Sequence, residues 1–249
     1  MKRAWYLGVT ADEVASRCIL VGDPGRVERF ADQLEGARLV SQERGLRTVT
    51  GAFGGVPVTV SAFGMGAPIA AVVLEELAGL GARIALRAGT AMAVGVNGDL
   101  LGAFVLARAA VRGEATSATY APLSYPAVAD LLLLDRTRAA LERGGVRYRE
   151  GLLASYDGFY TELFAAHEGR TGQIAARLAE IARLGVLAAD METSALLVAG
   201  SLLGVRTGSL CLVGVDGHSR ARLDNGARHA GEERLVELAL RAVISTPLE

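Results

Sequence analysis

Cys18-Ile19-Leu20-Val21-Gly22-Asp23-Pro24-Gly25-Arg26 sets the architecture. Its four leading apolar residues make a short buried strand, the glycines and proline break that strand into a turn, and a helix follows from Val27. Upstream, Thr10-Ala11-Asp12-Glu13 has the spacing of a capping box and predicts a short helix. Downstream, Arg47–Phe53 and Val56–Phe63 flank Gly54-Gly55 as a hairpin. Gly64-Met65-Gly66-Ala67-Pro68 then starts a helix through Val72, Val73, Leu77 and Leu80, and the strand Arg83–Leu86 runs to Arg87-Ala88-Gly89-Thr90. Strands at Phe104–Ala110, Gly151–Ser155, Val186–Ala189 and Ser209–Val215 alternate with helices within Ala127–Arg143, at Thr193–Leu203 and at Glu232–Ile244. This alternation predicts an α/β sandwich around a central sheet, and with no break in composition the chain reads as one domain over 1–249.

Composition narrows the function classes. The chain has 249 residues, 51% hydrophobic and 21% charged, with a net charge of −1, which excludes disorder and a disulfide scaffold. Lys2 is the only lysine, and the near-zero net charge gives no bulk attraction to nucleic acid or to an anionic membrane. No run approaches the ~18 apolar residues of a membrane span, and the N-terminus has no apolar signal core, so a cytoplasmic protein is expected. Cys18 and Cys211 lie in apolar stretches and read as buried thiols of a reducing compartment. No spacing of metal ligands occurs, and no metal is expected.

Polar residues collect where strands end, at Asp23/Arg26, Arg87/Thr90, Asp190/Glu192 and Asp216, which is where α/β sheets bind ligands. Arg87 follows an apolar strand, so its guanidinium needs an anionic partner, either a ligand or a structural carboxylate. In Gly22-Asp23-Pro24-Gly25-Arg26 the glycines let backbone N–H groups converge on an oxyanion, and Arg26 adds a bidentate donor beside a helix start. Together these describe a small-anion site. The loop lacks the lysine and hydroxyl of a P-loop, and Gly64-Met65-Gly66-Ala67-Pro68-Ile69 lacks the third glycine of a dinucleotide fingerprint.

In order along the chain, Gly22-Asp23-Pro24-Gly25-Arg26, Gly64-Met65-Gly66-Ala67-Pro68, Leu74–Gly81, Arg87-Ala88-Gly89-Thr90 and Asp190-Met191-Glu192 resemble the hexameric nucleoside phosphorylases, and Ala121–Asp130 is similar to the uridine phosphorylase branch. The resemblance implies a three-layer α/β/α sandwich around a central mixed, partly barrel-like sheet. It implies that Gly22, Arg26, Arg87 and Thr90 bind phosphate, joined by Arg44 from a neighbouring subunit. It implies that Met191 and Glu192 hold the ribose, with Tyr6 at its 5′ end across the subunit interface. It also implies that Phe159 packs on the base. The implied reaction is phosphorolysis of a nucleoside, uridine-type favoured, to a free base and ribose 1-phosphate. Inorganic phosphate would be the co-substrate without any other cofactor, in a homo-oligomer built from dimers, as in a hexamer. The partners expected are small molecules.

Several positions depart from the branch pattern. The glutamine and arginine that read the uracil edge are replaced by residues of Thr161-Glu162-Leu163-Phe164-Ala165, and Met92 stands where a pocket glycine is usual. Asp216 lies within one position of the aspartate that meets the purine N7 in the purine branch, yet Asp216-Gly217 also reads as a turn. Gly45 replaces a cation-binding glutamate, so no monovalent ion is expected. A purine nucleoside or methylthioadenosine phosphorylase is therefore the alternative, followed by a nucleosidase and by a non-catalytic nucleoside-binding homologue. Plainer roles exist for the same residues. Asp190 can cap the following helix, Glu192 can complement its dipole, Met191 can fill the core, and Phe159 can be a core aromatic. His167, His218 and His229 read as solvated, and Arg136, Arg138, Arg143, Arg147 and Arg149 as a solvated face.

Overall fold

The computed structural model describes residues 3–95, 100–165 and 168–249; His167 lies outside the described residues. The strands form one mixed sheet. β1 (Arg17–Val21) runs parallel to β4 (Val56–Ala62) and to β5 (Ile84–Ala93). β4 pairs antiparallel with β3 (Thr48–Phe53) through the Gly54-Gly55 turn, and β3 pairs with the edge strand β2 (Glu35–Ser41). Beyond β5 come β6 (Phe104–Gly113), the two-residue β7 (Ala127–Val128), β8 (Tyr148–Tyr156), β9 (Val186–Asp190) and β10 (Arg206–Asp216). The path β5–β10–β6–β8–β9 returns to β5, so this part of the sheet closes into a five-stranded barrel and β1, β4, β3 and β2 extend from it.

Alternation along β1 shows why helices must cover both faces. Ile19 and Val21 pack with α1 (Pro24–Ala31), α4 (Leu131–Gly144) and α7 (Asn225–Ser245), whereas Cys18 and Leu20 pack with α2 (Ala67–Gly79) and α6 (Thr193–Leu203). Each buried aliphatic side chain is worth roughly 1.5–3 kcal/mol, so a strand apolar on both faces is stable only between two helical layers. On β5, Ile84, Leu86 and Ala88 join the first layer and Ala85 the second, which puts Arg87 on the α2–α6 side. A third apolar cluster, containing Met92, Tyr156, Leu163 and residues of α5 (Thr171–Arg183), closes the barrel near its rim. The remaining helix, α3 (Thr116–Tyr120), is one turn and a half. Among the described residues, no helix is long and apolar enough to cross a membrane.

The elements differ from expectation at instructive places. The strand expected to stop at Leu86 continues through Arg87 and Thr90 to Ala93, because small residues there let β5 pair with β10 and β9 and close the barrel. Arg87 and Thr90 are therefore strand residues, and Arg26 belongs to the first turn of α1 rather than to a loop. The capping box at Thr10 forms, with Glu13 Oε2 accepting from Thr10 N at 2.8 Å, but the chain turns into β1 after a single 3-10 turn. The last helix starts at Asn225, capped by Asp224, not at Glu232.

Candidate functional site

Two glycine-bearing loops make the floor of the site. A Cβ on Gly22 would lie 2.8 Å from the Gly64 carbonyl oxygen, so the β1–α1 and β4–α2 loops touch only because residue 22 has no side chain. Asp23 caps α1, accepting from Gly25 N at 2.9 Å, and Pro24 occupies the first helical position. That geometry directs Arg26 inward, where it is 3% exposed. Its Nη1 donates to the Ala88 carbonyl at 3.1 Å and its Nη2 to Glu232 Oε1 at 3.2 Å. Arg26 therefore rests against the residue next to Arg87.

Arg87 is equally buried. Its Nη2 lies 2.5 Å from Glu192 Oε2 and 3.3 Å from Asp190 Oδ2, and its Nη1 lies 2.8 Å from Cys211 Sγ. Burial disfavours the cation, but the Asp190 and Glu192 carboxylates offset it and hold the guanidinium charged. A structural carboxylate thus does partner Arg87. The partnership is incomplete: among the described residues, the Nε atoms of both Arg26 and Arg87 are buried without an acceptor. A buried guanidinium N–H without a partner is costly, and an oxyanion would complete either Nε; the Nε atoms of Arg47 and Arg136 are likewise buried without an acceptor among the described residues. Thr90 is the exposed residue in the otherwise buried β5, so the sheet opens to solvent at that position.

The carboxylates have divided tasks. Asp190 accepts from Thr193 N at 3.2 Å, from the Thr193 hydroxyl and from Ser155 Oγ at 2.6 Å, and so caps α6 while facing Arg87. Glu192 occupies the N-cap position of α6 but makes no side-chain cap. Its Oε1 instead accepts from Gly66 N at 2.7 Å, which ties the β4–α2 loop to Arg87. Each carboxylate oxygen can take two donors, so Glu192 retains capacity for two more. Met191 between them is half-buried and belongs to none of the apolar clusters.

Phe159 lies on a single π-helical turn, Phe159–Leu163, half-buried against the rim cluster that holds Met92. Met92 is 3% exposed, and its Cε approaches Gly217, so it fills the wall beneath Asp216. Asp216 Oδ1 accepts from Ser219 N at 2.6 Å, Ser219 Oγ at 2.8 Å and His218 N at 3.1 Å, which is the turn role. Its Oδ2 is buried and unpartnered among the described residues. The resulting loop carries Arg220 and Arg222 to 5.6 and 5.3 Å from the centroid of Phe164, whose ring stacks on Phe159.

Tyr6 and Arg44 lie together on the surface, with the Arg44 guanidinium 5.1 Å from the Tyr6 ring centroid. Among the described residues, neither bonds to Arg26, Arg87 or Glu192, so a single chain does not bring them into the buried cluster. His218 and His229 are exposed. Burial pushes the Cys18 thiol up to about 12 and raises Cys211 despite Arg87 nearby, so neither is a nucleophile at neutral pH. Among the described residues, no group of His, Cys, Asp and Glu is arranged to hold a metal.

Residues 16–245 match the family described as the Phosphorylase superfamily. The chain belongs to that superfamily. The uridine phosphorylase of Thermococcus kodakarensis is 35% identical over 243 residues, covering 96% of this chain and 85% of the relative. The guanosine phosphorylase of Halorubrum lacusprofundi is 32% identical over 252 residues, covering 98% and 99%. A crystal structure of uridine phosphorylase from Vibrio fischeri superposes with a TM-score of 0.87 at 30% identity over 98% of both chains. In this member of the phosphorylase superfamily, Glu232 and the Cys211 contact with Arg87 escaped sequence reasoning. Nothing local distinguishes Glu232 from a solvated helix glutamate, since its partners Arg26 and Arg29 lie on α1, at the other end of the chain.

Proposed function

We propose that this chain is a phosphate-dependent nucleoside phosphorylase, uridine-type favoured, acting as a single domain in the cytoplasm and in a homo-oligomer built from dimers, as in a hexamer. The observation that carries this proposal is the pair of buried guanidiniums, Arg26 and Arg87, each with an unpartnered Nε, beside a carboxylate with lone pairs to spare. Phosphate held by Arg26, Arg87, Thr90 and the Gly22 loop is itself the nucleophile. One of its oxygens bonds to the anomeric carbon as the glycosidic C–N bond breaks, and the electron pair leaves with the base. The site positions the dianion under the ribose, where its charge also stabilises the oxocarbenium-like sugar. Glu192, with Met191, takes the 2′- and 3′-hydroxyls, an acceptor task for which two lone pairs remain.

Charge supports the subunit arrangement. Asp190, Glu192 and Glu232 take up most of the guanidinium charge within one chain, so a phosphate dianion requires a further cation. Arg44, exposed and stacked on Tyr6, suits that role when it is Arg44 of the partner subunit, with the partner subunit's Tyr6 at the ribose 5′ end.

At the base end, Phe159 supplies the ring face, and Arg220 and Arg222 supply N–H donors in place of the absent uracil-reading pair. Donors of that kind suit a carbonyl-bearing edge, as in uracil, and disfavour an exocyclic amine. A second reading, a purine nucleoside phosphorylase acting on 6-oxopurines, is favoured by the free Asp216 Oδ2, which can meet N7 if it carries a proton. Assays of uridine, cytidine, guanosine, inosine, adenosine and methylthioadenosine decide between them. Uridine is expected to be cleaved fastest and cytidine poorly, only with phosphate present; turnover of purines alone, or cleavage without phosphate, overturns the assignment. Glu192→Gln is expected to weaken ribosides about 10-fold relative to their 2′-deoxy analogues, since an amide turns one acceptor into a donor facing Gly66 N or Arg87. An unchanged ratio of kcat/KM for uridine and 2′-deoxyuridine removes Glu192 from that role.

A further inference from the structure

We infer that Glu232, on the last helix, is a positioning residue that sets the orientation of Arg26 and through it the affinity for inorganic phosphate, an inference that rests on the phosphorylase activity proposed above. Glu232 is 3% exposed and lies on the face of α7 that packs against α1. A guanidinium is a rigid plane, so two anchors fix it. Arg26 has two: the Ala88 carbonyl on Nη1 and the Glu232 carboxylate on Nη2. These anchors determine where the unpartnered Nε points. A carboxylate that served only to tie α7 to α1 would gain most from a bidentate fork that consumed Nε as well. Glu232 instead meets Arg26 through Nη2 alone and leaves Nε free.

A buried carboxylate near an anion site would ordinarily repel the anion. Here Arg228 Nε at 3.1 Å and Arg29 Nη2 at 3.5 Å share Glu232, so its charge is offset from the solvent side. Burial raises the Glu232 carboxyl, but Arg26 and, after it, Arg228 more than offset that and hold it below its ordinary range. The solvent side is a cavity of about 210 Å³ lined by Asp23, Arg29, Asn225, Arg228, His229 and Glu232. The Arg29 Nη1 also lies 2.6 Å from His229 Nδ1, which keeps Arg29 over the carboxylate. One carboxylate thus aims Arg26 inward while two outer guanidiniums cancel its field.

The test is calorimetric binding of inorganic phosphate to the full chain without nucleoside, followed by steady-state kinetics with each substrate varied in turn. Glu232→Gln is expected to raise the phosphate Kd and the phosphate KM about 10-fold while the nucleoside KM stays within about 2-fold. Glu232→Asp, which keeps the charge, is expected to recover part of that loss. Equal rises in both KM values, or an unchanged phosphate Kd, overturn the positioning role. Two variants that both fail to fold make Glu232 a structural tie and also overturn it. Wild-type protein that binds phosphate but cleaves no nucleoside sinks the proposed activity while the Kd comparison still judges Glu232; wild-type protein that binds no phosphate sinks both.

Discussion

Arg87→Lys is expected to fold and to lose on the order of 100-fold or more in kcat/KM, whereas Arg87→Ala is expected to lose activity and stability together. The difference lies in what Arg87 touches. Its guanidinium is the cation for Asp190 and Glu192, both buried. Alanine strands two carboxylates in a medium that cannot solvate them, a change that typically costs about 3–5 kcal/mol. That is a large share of a domain's total stability of roughly 5–15 kcal/mol. Lysine keeps the charge and relieves the carboxylates, but a point ammonium cannot reproduce the plane that reaches Glu192, Cys211 and the open Nε direction at once. Removing one preorganised donor from a developing charge costs about 10²–10³ in rate. Urea midpoints and phosphorolysis rates of the two variants check this. Arg87→Lys with activity within a few-fold of wild type would remove Arg87 from phosphate binding.

How much of this site could be read in advance depends on whether its partners are close in sequence. The turn at Gly22–Arg26 and its arginine donor were legible because the residues are contiguous, whereas the helix expected from Val27 starts at Pro24, capped by Asp23, and buries Arg26. The α/β sandwich was legible from the alternation of strands and helices, since an apolar strand on both faces dictates two helical layers, and its partly barrel-like sheet was expected only from the resemblance to the nucleoside phosphorylases. What sequence could not supply was pairing across the closed part of the sheet. The extension of β5 past Arg87 depends on β10 and β9 beside it, and Cys211 becomes an Arg87 partner only because Cys211 lies opposite Gly89 in that register. Edge strand β2 stayed unread because most of its residues face solvent and show no alternation. At the base end the absence of a uracil-reading pair after Phe159 was plain. Its replacement was not, because Arg220 and Arg222 return to Phe164 through the turn that Asp216 holds.

Gly89→Ala is expected to abolish most phosphorolysis and to lower stability without unfolding the chain. A Cβ at residue 89 would sit 1.9 Å from Arg87 Nη1 and 2.5 Å from its Cζ. The obstacle is the far end of one side chain, not backbone, and Gly89 has an ordinary strand conformation, so alanine evicts the guanidinium and spares the sheet. The expected result is a folded protein whose Tm falls by no more than that of Arg87→Ala, because the displaced guanidinium leaves Asp190 and Glu192 unpaired, and a kcat/KM lower by about 100-fold. Gly79→Ala is the matched control: nothing lies within 4 Å of its added methyl, and a helical alanine there is expected to be silent or stabilising by about 0.5–1 kcal/mol. If Gly89 matters only through Arg87, the two substitutions must not add. Combining Gly89→Ala with Arg87→Lys should then cost little beyond Arg87→Lys alone, because the group that the methyl displaces is already gone. Full additivity of the two losses would mean that residue 89 acts on the reaction by some route other than the guanidinium packed against it.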